Sequence, residues 1–304
     1  MHPRLILKKG SERRQLMGHP WVYDGEIART EGSLADGAVA DCASYNGTFL
    51  GRGYFNGRSK IRLRVLTRNA GQEVDDDLLR QRLDWALKRR LQLYPGATSL
   101  RLLHAEGDGL PGLTVDRYED VLVVQSTSLG MDQRQDVLTG LLRDLTGIEK
   151  IYLRNDLSTR RNEGLERQSS FPAEPFATVI RIREHGLDFE IDIATGHKTG
   201  FYLDQMDNRL ALHAFVPPGG AVLDAFCYCG AFAVHAASAG AGHILGLDSS
   251  AAALALAERN AELNQVSGVC QFEESNVFDR LRQMVTDDQQ FDLIVLDPPS
   301  FTHN

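Results

Sequence analysis

Short apolar runs alternate with helical segments along the last third of the chain, and this alternation constrains the fold most strongly. Short apolar strands that alternate with helices are typical of a parallel sheet covered on both faces. The predicted strands and helices are Ala221–Asp224, the helix Ala231–Ser238, His243–Asp248, an alanine-rich helix from Ser249 or Ser250 to about Asn264, Val269–Phe272 and Phe291–Leu296. The sequence therefore predicts an α/β, doubly wound sheet, of which four strands are present.

The first 188 residues show two other patterns. Up to about Arg68, glycines interrupt short alternating runs such as Arg62–Leu66, which predicts a small β-rich barrel or sandwich. Leucines then recur at helical spacing after a cap supplied by Asp75 to Asp77, and strands are predicted at Leu113–Tyr118 and Val121–Gln125. We therefore predict three domains: β-rich over residues 1–70, α+β over 71–188 and α/β over 189–304.

Charge is spread unevenly along the chain. The net charge is −8 over 304 residues, but residues 1–68 hold 12 Lys and Arg against 6 Asp and Glu, which leaves the remainder at −14. A basic module on an acidic body fits a protein that docks on phosphate through one end. The alternative is an arginine-rich surface with no partner, and charge alone does not separate the two.

The four cysteines do not form a disulfide framework. Cys227 and Cys229 lack the second pair that a zinc site needs, so free thiols in a reducing compartment are expected. No run has the length of a membrane span, and Leu5–Leu7 is too short for the core of a signal peptide. We therefore expect a cytoplasmic protein without a membrane partner or a bound metal.

Acidic and polar residues stand where the predicted strands end. Asp224 ends the first strand, Asp248 ends the second, and Asn276 follows the third. A carboxylate after the second strand can accept both hydroxyls of a ribose. The loop after the first strand has one glycine, Gly230, and lacks the G-x-G-x-x-G pattern that a pyrophosphate requires. S-adenosylmethionine, which has a ribose and no pyrophosphate, fits this pattern; the alternative is that Asp224 and Asp248 only cap strand ends.

The segment Gly196–Gly200 has some features of a phosphate-binding loop. That loop needs a glycine directly before the lysine, and His197 stands there. We interpret residues Lys198 to Arg209 instead as a polar loop that folds over the mouth of the pocket. A solvated linker between domains is the alternative.

Asp297, Pro298 and Pro299 follow the fourth predicted strand. Two prolines fix the backbone and remove two donors, so nearby carbonyl groups become rigid acceptors. A carboxylate beside them can bind an amino or ring N–H of a flat base, on which Phe301 can stack. A tight turn after a strand is the alternative, since two prolines also make one.

The whole chain resembles a family of PUA-containing class I methyltransferases that includes the large-subunit ribosomal RNA cytosine-5 methyltransferases. The segments that carry the resemblance are Leu7–Gly10 with His19–Tyr23, Glu106–Tyr118, Gly196–Arg209, Leu223–Gly230 and Leu296–Phe301. The resemblance implies a PUA-like RNA-binding domain, an α+β middle domain and a Rossmann-like methyltransferase domain. It also implies S-adenosylmethionine as cofactor and large-subunit ribosomal RNA as partner, and it leaves a homodimer open.

The resemblance implies a role for each site residue. The cofactor would be bound by Asp224, Phe226, Gly230, Asp248, Asn276 and Asp297. Asp297, Pro298 and Pro299 would form the catalytic loop that holds the target base, with Lys198, Arg209 and Phe301 on the substrate side. Met206 departs from the family pattern, where many members have arginine, and Cys227 and Cys229 stand at variable positions.

Cytosine C5 is a poor nucleophile, so these enzymes first add a cysteine thiolate to C6. In the family this cysteine follows a fifth strand, and the chain ends shortly after Phe301. We therefore expect an incomplete catalytic domain that is unstable or inactive by itself. Cys227 and Cys229 are weaker candidates for the nucleophile, because a thiol in their loop would face the methyl donor.

The leading hypothesis is an S-adenosylmethionine-dependent RNA methyltransferase that acts on C5 of a cytosine in 23S ribosomal RNA. Transfer to an exocyclic amine of a base is the alternative within the enzyme class, since Asp297–Pro299 also resembles the loops of amino-methyltransferases. A non-catalytic RNA-binding protein is the alternative from another class.

Overall fold

The computed structural model describes residues 2–299, which divide into two compact units, residues up to 176 and residues from 177. The first unit contains two sheets, and the second contains a hairpin and a parallel sheet. The predicted succession of β-rich, α+β and α/β structure is confirmed. The second unit begins before residue 189, the predicted boundary, because the hairpin of residues 179–192 belongs to it.

The β-rich segment forms one six-stranded sheet in the order β2-β6-β5-β4-β1-β3. Its elements are β1 (Arg4–Leu7), α1 (Arg13–Leu16), β2 (Trp21–Tyr23), β3 (Ile27–Glu31), β4 (Val39–Ala43), β5 (Phe49–Phe55) and β6 (Ile61–Thr67). Strand β1 pairs in parallel with β4, and the other pairs are antiparallel. Leu5, Val22 and Leu63 are fully buried and belong to its core.

The α+β segment forms a five-stranded sheet in the order β11-β10-β9-β8-β7. Its elements are α2 (Asp76–Leu93), β7 (Ser99–His104), β8 (Leu113–Tyr118), β9 (Val121–Ser126), α3 (Leu129–Asp132), α4 (Gln135–Thr146), β10 (Lys150–Asn155) and β11 (Gln168–Ser170). The Asp75 side chain caps α2 by accepting a hydrogen bond from the backbone N–H of Leu78, as the sequence predicts. Tyr54 and Leu66, from β5 and β6, pack into the core of this segment, so the β-rich segment has a core of its own and also contributes to this one.

The second unit contains a two-stranded hairpin and a four-stranded parallel sheet in the order β16-β15-β14-β17. Its elements are β12 (Val179–Glu184), β13 (Leu187–Asp192), α5 (Met206–Leu212), β14 (Ala221–Ala225), α6 (Ala231–Ser238), β15 (His243–Asp248), α7 (Ala251–Leu263), β16 (Cys270–Glu274), α8 (Val277–Thr286) and β17 (Leu293–Leu296). Successive residues of β14, Val222 and Leu223, belong to different core clusters. Both faces of the sheet are therefore covered, as expected for uniformly apolar parallel strands.

Candidate active site

A cavity of about 380 Å³ lies at the carboxyl ends of β14, β15 and β17, where the strand order reverses. Its wall is formed by the loops that leave these strands and by residues before and within α5. The lining residues are His197, Lys198, Phe201, Tyr202, Arg209, Phe226, Cys227, Tyr228, Cys229, Ala231, Phe232, Asp248, Ser249, Asp297, Pro298 and Pro299. Ligands of open parallel sheets bind at this position. The cavity is therefore the candidate active site.

The loop after β14 reaches the cavity through two residues with left-handed backbone conformation, Phe226 at φ 66° and Tyr228 at φ 50°. Such a conformation costs on the order of 1–3 kcal/mol in a residue other than glycine and persists only where the surroundings hold it. Here the N–H of Cys227 donates to the carbonyl of Leu247 at 2.9 Å, and the N–H of Tyr228 donates to Asp248 Oδ2 at 2.9 Å. The loop is therefore fixed to the end of β15.

Asp248 stands on the cavity wall with part of its hydrogen-bonding capacity used. Besides the bond from Tyr228, its Oδ1 accepts a hydrogen bond from the N–H of Ser250 at 3.0 Å. An ionised carboxylate has about four lone-pair sites, so it retains capacity for about two further donors. This arrangement suits a vicinal diol, the ligand expected from the sequence.

Asp297 follows β17 and also lines the cavity, together with the two prolines after it. Burial raises the pKa of Asp297, and the negative charge of Asp204 adds to this effect, while Lys198 and Arg209 oppose it. Gln205 Nε2 donates a hydrogen bond to Asp297 Oδ1 at 3.3 Å. The predicted base-holding loop therefore lies at the same cavity as Asp248.

Asp224 is buried and lies outside the lining that the described residues form. Its Oδ2 accepts a hydrogen bond from the N–H of Ala233 in α6 at 3.0 Å. Burial, with the nearby charges of Asp297 and Asp248, raises the pKa of Asp224 to about 7. In this structure Asp224 connects β14 to α6, which is the strand-end role that the sequence left as the alternative.

Three carboxylates therefore converge on one edge of the sheet. Asp248 and Asp297 line the cavity, and both are near enough to Asp224 to raise its pKa. The two cations in the described lining, Lys198 and Arg209, are paired with Asp204 and Glu184. Asp248 and Asp297 can therefore interact favourably with a positively charged ligand.

Gly230 and Asn276, two further predicted cofactor residues, lie outside the lining of this cavity that the described residues form. Gly230 begins α6 at φ 73°, and a Cβ there would lie 2.8 Å from the Cβ of Ala257. Backbone conformation and packing therefore both require a glycine here, and contact with the cofactor stays a prediction for this residue. Asn276 caps α8 and lines an adjacent cavity of about 490 Å³ with Phe226 and Pro299.

An aromatic cluster that the sequence analysis did not identify forms another part of the wall. The rings of His197 and Tyr228 stack with centroids 4.6 Å apart, and Tyr202 meets Tyr228 edge-on at 5.6 Å. The Tyr228 hydroxyl accepts a hydrogen bond from the N–H of His197 and donates to the carbonyl of Gly200. The glycine-rich segment is thus bound to the loop after β14, a contact between residues about thirty positions apart.

Lys198 lines the cavity as predicted for a substrate-binding residue. Its Nζ lies 4.5 Å from the centre of the Tyr202 ring and 2.6 Å from Asp204 Oδ2. The ammonium group therefore stands at the site with one carboxylate partner. Contact with substrate stays a prediction for this residue.

Arg209 has a different environment from the one predicted. It lies in α5 rather than in a loop, and its guanidinium donates to both carboxylate oxygens of Glu184 at 2.6 and 2.7 Å. Burial opposes the charge on Glu184, but hydrogen bonds from Arg209 and His235 hold the pKa of Glu184 below its usual value. Arg209 also donates to the carbonyl of Tyr202. Its side chain therefore positions the cavity wall, and contact with substrate stays a prediction for this residue.

The two cysteines of the cavity lining are poor nucleophiles. Burial raises the pKa of the Cys229 thiol to about 12. Burial also raises the pKa of Cys227, and the charges of Asp224 and Asp248 act in the same direction. The nucleophile is the thiolate rather than the thiol, so neither residue is suited to attack C6 of a base. Phe301, the remaining predicted site residue, lies outside the described residues.

Comparisons with known proteins agree with this arrangement. Residues 5–68 match the model of a PUA-like domain, and residues 217–299 match a methyltransferase domain. The chain is 40% identical over 309 residues to the ribosomal RNA large subunit methyltransferase I of Aeromonas hydrophila and 39% identical over 308 residues to that of Escherichia coli K12. Each alignment covers 100% of this chain and 78% of the relative.

Two solved structures share the fold. A protein from Streptococcus mutans described as a SAM-dependent methyltransferase superposes with a TM-score of 0.82 at 22% identity, covering 97% of this chain and 77% of that one. A methyltransferase crystallised with SAH superposes with a TM-score of 0.84 at 23% identity, covering 99% and 77%. Within residues 2–299, no helix is long and apolar enough to cross a membrane.

The raised pKa of Asp224 predicts a pH-dependent effect of Asp224→Asn. The native carboxyl keeps its proton up to about pH 7, whereas an unfolded Asp releases it near 3.9, so this group lowers stability as pH rises between these values. Asparagine lacks this titration. The free energy of unfolding, measured in urea, is to be compared at about pH 5 and about pH 8. Between these values, the difference between Asp224→Asn and the wild type should shift by about 2–3 kcal/mol in favour of the variant. An equal difference at both pH values, or the same gain in the exposed control Asp287→Asn, would contradict the assignment.

The burial of all four cysteines predicts slow thiol chemistry in the native chain. We expect an aromatic disulfide reagent at about pH 8 to modify the four thiols quickly in urea and slowly in buffer, because burial raises the pKa of each thiol. Absorbance of the released thiolate measures both rates. If one thiol reacts rapidly in the folded protein and the Cys227→Ser variant loses this reaction, then Cys227 is reactive and the prediction is wrong.

Proposed function

This chain belongs to the family of ribosomal RNA large subunit methyltransferase I, and on that premise we propose that it transfers a methyl group from S-adenosylmethionine to a base of large-subunit ribosomal RNA. The observation that carries the proposal is the cavity at the reversal of strand order, with Asp248 on one part of its wall and Asp297–Pro299 on another. Asp248 suits a ribose and Asp297–Pro299 suits a base, and both line the same cavity.

The residues of the cavity fit S-adenosylmethionine. Asp248 has acceptor capacity for the two ribose hydroxyls. The sulfonium and ammonium charges of the cofactor match the carboxylates of Asp248 and Asp297 on the cavity wall. Phe226 and Asn276, at the adjacent cavity, offer an aromatic face and an amide for the adenine. Phe226 lines both cavities, so the two subsites are contiguous.

When bound, S-adenosylmethionine supplies an electrophilic methyl group. The chain's own residues then have to bring a base to it and keep that base oriented. Asp297 is half-buried, and its carboxylate can accept a hydrogen bond from a base amino group beside the rigid backbone of Pro298 and Pro299. Gln205 donates to the same carboxylate and restrains it. Lys198 lines the same cavity and stays a proposed contact to the RNA substrate.

We propose C5 of a cytosine in 23S ribosomal RNA as the methylated atom, on the resemblance of the motifs. A specific observation favours a second candidate, the exocyclic amine of a base. The thiols of Cys227 and Cys229 are buried with raised pKa values, and an amine, unlike C5, needs no thiolate for its methylation. The proposed setting is the cytoplasm, where the RNA substrate is found, and a homodimer stays a prediction for sedimentation measurements.

The role of Asp248 predicts that Asp248→Asn weakens cofactor binding. Loss of the charge removes two charge-assisted hydrogen bonds to the ribose, which corresponds to a dissociation constant about 10–100-fold higher. Calorimetric titration of the intact chain with S-adenosylhomocysteine measures this. The matched control is Asp287→Asn, which changes an exposed carboxylate outside the cavity and should bind like the wild type. Absence of heat with the wild type would favour the non-catalytic RNA-binding alternative.

The proposed reaction predicts a change in the ribosomal RNA of a strain that lacks the gene. Nucleoside mass spectrometry of large-subunit RNA should show the loss of one 5-methylcytidine. Loss of an N-methylated nucleoside would instead identify the amine as the acceptor. An unchanged set of methylated nucleosides in both subunits would contradict the proposed function.

A further inference from the structure

A second large cleft lies in the first unit, where two of the sequence motifs meet. It has a volume of about 690 Å³, and its lining includes Trp21 and Tyr23 of the first motif and Glu106 and Gly112 of the second. The indole Nε1 of Trp21 donates a hydrogen bond to Glu106 Oε1 at 2.8 Å. Motifs 85 residues apart in sequence therefore form one built surface.

The acidic groups of this cleft are hydrogen-bonded within the protein. Glu163 accepts hydrogen bonds from Asn56, Ser59 and Arg64, and its side chain is 4% exposed. Glu106 accepts from Trp21 and also lies 3.3 Å from Arg64. The two carboxylates thus hold the cleft together, and its lining keeps a net positive charge because the basic side chains outnumber them.

The basic groups at the mouth are available to a ligand. Arg58, Lys60 and Arg161 line the cleft and are exposed. Arg58 has a carboxylate neighbour, Asp36 at 3.3 Å, but its side chain is 70% exposed. Within residues 2–299, Lys60 and Arg161 make no side-chain ion pair or hydrogen bond. A cluster of exposed cations beside internally satisfied carboxylates favours an anionic ligand.

Aromatic rings provide the apolar part of the same cleft. Trp21 and Tyr23 meet edge-to-face with centroids 6.3 Å apart, and the Arg64 guanidinium lies 5.4 Å from the centre of the Trp21 ring. Aromatic side chains next to cations are the combination with which proteins bind unpaired bases together with their phosphates. The volume also lies within the usual range for a small-molecule or nucleotide site, about 300–1,000 Å³.

We propose that this cleft binds one unpaired nucleotide of the RNA substrate, with the base against Tyr23 and Trp21 and the phosphate at Lys60 and Arg161. The proposal rests on the proposed function only in taking RNA as the ligand. Its geometry belongs entirely to the first unit, and the cofactor cavity belongs to the second. The two can therefore be tested separately in the intact chain.

The stacking part of the proposal is tested at Tyr23. Fluorescence anisotropy with an unpaired RNA oligonucleotide of about ten bases should show affinity about tenfold lower for Tyr23→Leu, because stacking on an aromatic ring is lost. Tyr23→Phe keeps the ring and should remain within about twofold of the wild type. Equal affinity of Tyr23→Leu and wild type would overturn the proposal, and so would an equal loss in Tyr23→Phe.

The phosphate part is tested by removing charge inside and outside the cleft. In the double variant Lys60→Ala with Arg161→Ala, the dependence of log affinity on log salt should become shallower by about 0.7, the value for one phosphate contact on a single strand. The matched control, Lys9→Ala with Arg89→Ala, removes two exposed cations outside the lining and should keep the slope. A similar change in both double variants would overturn a specific site.

Two further measurements separate this proposal from its alternatives. Calorimetry with S-adenosylhomocysteine should give the same affinity for all four variants and the wild type. If the wild type does not bind S-adenosylhomocysteine, the proposed function is contradicted and the cleft proposal is not. If the wild type binds S-adenosylhomocysteine but not the oligonucleotide, the cleft proposal is wrong while the cofactor site stands. If adenosine monophosphate binds as tightly as the oligonucleotide and displaces it, the cleft is a site for free nucleotides and the RNA assignment is overturned.

Discussion

The parallel pairing of β14 with both β15 and β17 is the constraint on which the candidate active site depends. The register places Ala225 opposite Leu247 on one side and opposite Leu296 on the other. The residues that leave the three strands therefore emerge at one level, and Asp248 and Asp297 meet around one cavity. A shift of one strand by a single residue would turn its side chains to the other face and separate these groups.

This convergence has an energetic consequence for the fold. Three carboxylates near one sheet edge repel one another, and burial keeps the pKa of Asp224 near 7. Natural proteins depart from locally favourable chemistry mainly at functional sites. Strain in the loop after β14, at Phe226 and Tyr228, is a second departure at the same place. Both are compensated by contacts from neighbouring elements, such as the hydrogen bond from Tyr228 to Asp248.

The features that the sequence predicted correctly depend on short-range patterns. The caps Asp75 and Ser250 act on residues three positions away, and the strand β15 has the predicted bounds. The missed features depend on contacts between distant residues. Arg209 pairs with Glu184, which shares the inward face of its strand with Ile180 and Ile182. The alternation of that strand marks Glu184 as inward-facing, but it does not identify a partner in another element. The sequence identifies Gly230 as the single glycine of its loop. The Ala257 side chain, which leaves no room for a Cβ at Gly230, comes from another helix.

Cofactor binding and thiolate catalysis require opposite electrostatics, and this limits where a nucleophile can lie. Carboxylates that favour a sulfonium also favour the protonated form of a nearby thiol. Asp224 and Asp248 raise the pKa of Cys227 in this way, in addition to the effect of burial. A cysteine in the loop after β14 is therefore disfavoured as a nucleophile by the same charges that suit the loop to a cationic methyl donor. Chemistry at C5 would need a thiolate farther from Asp224 and Asp248, whereas transfer to an amine places no such demand on the site.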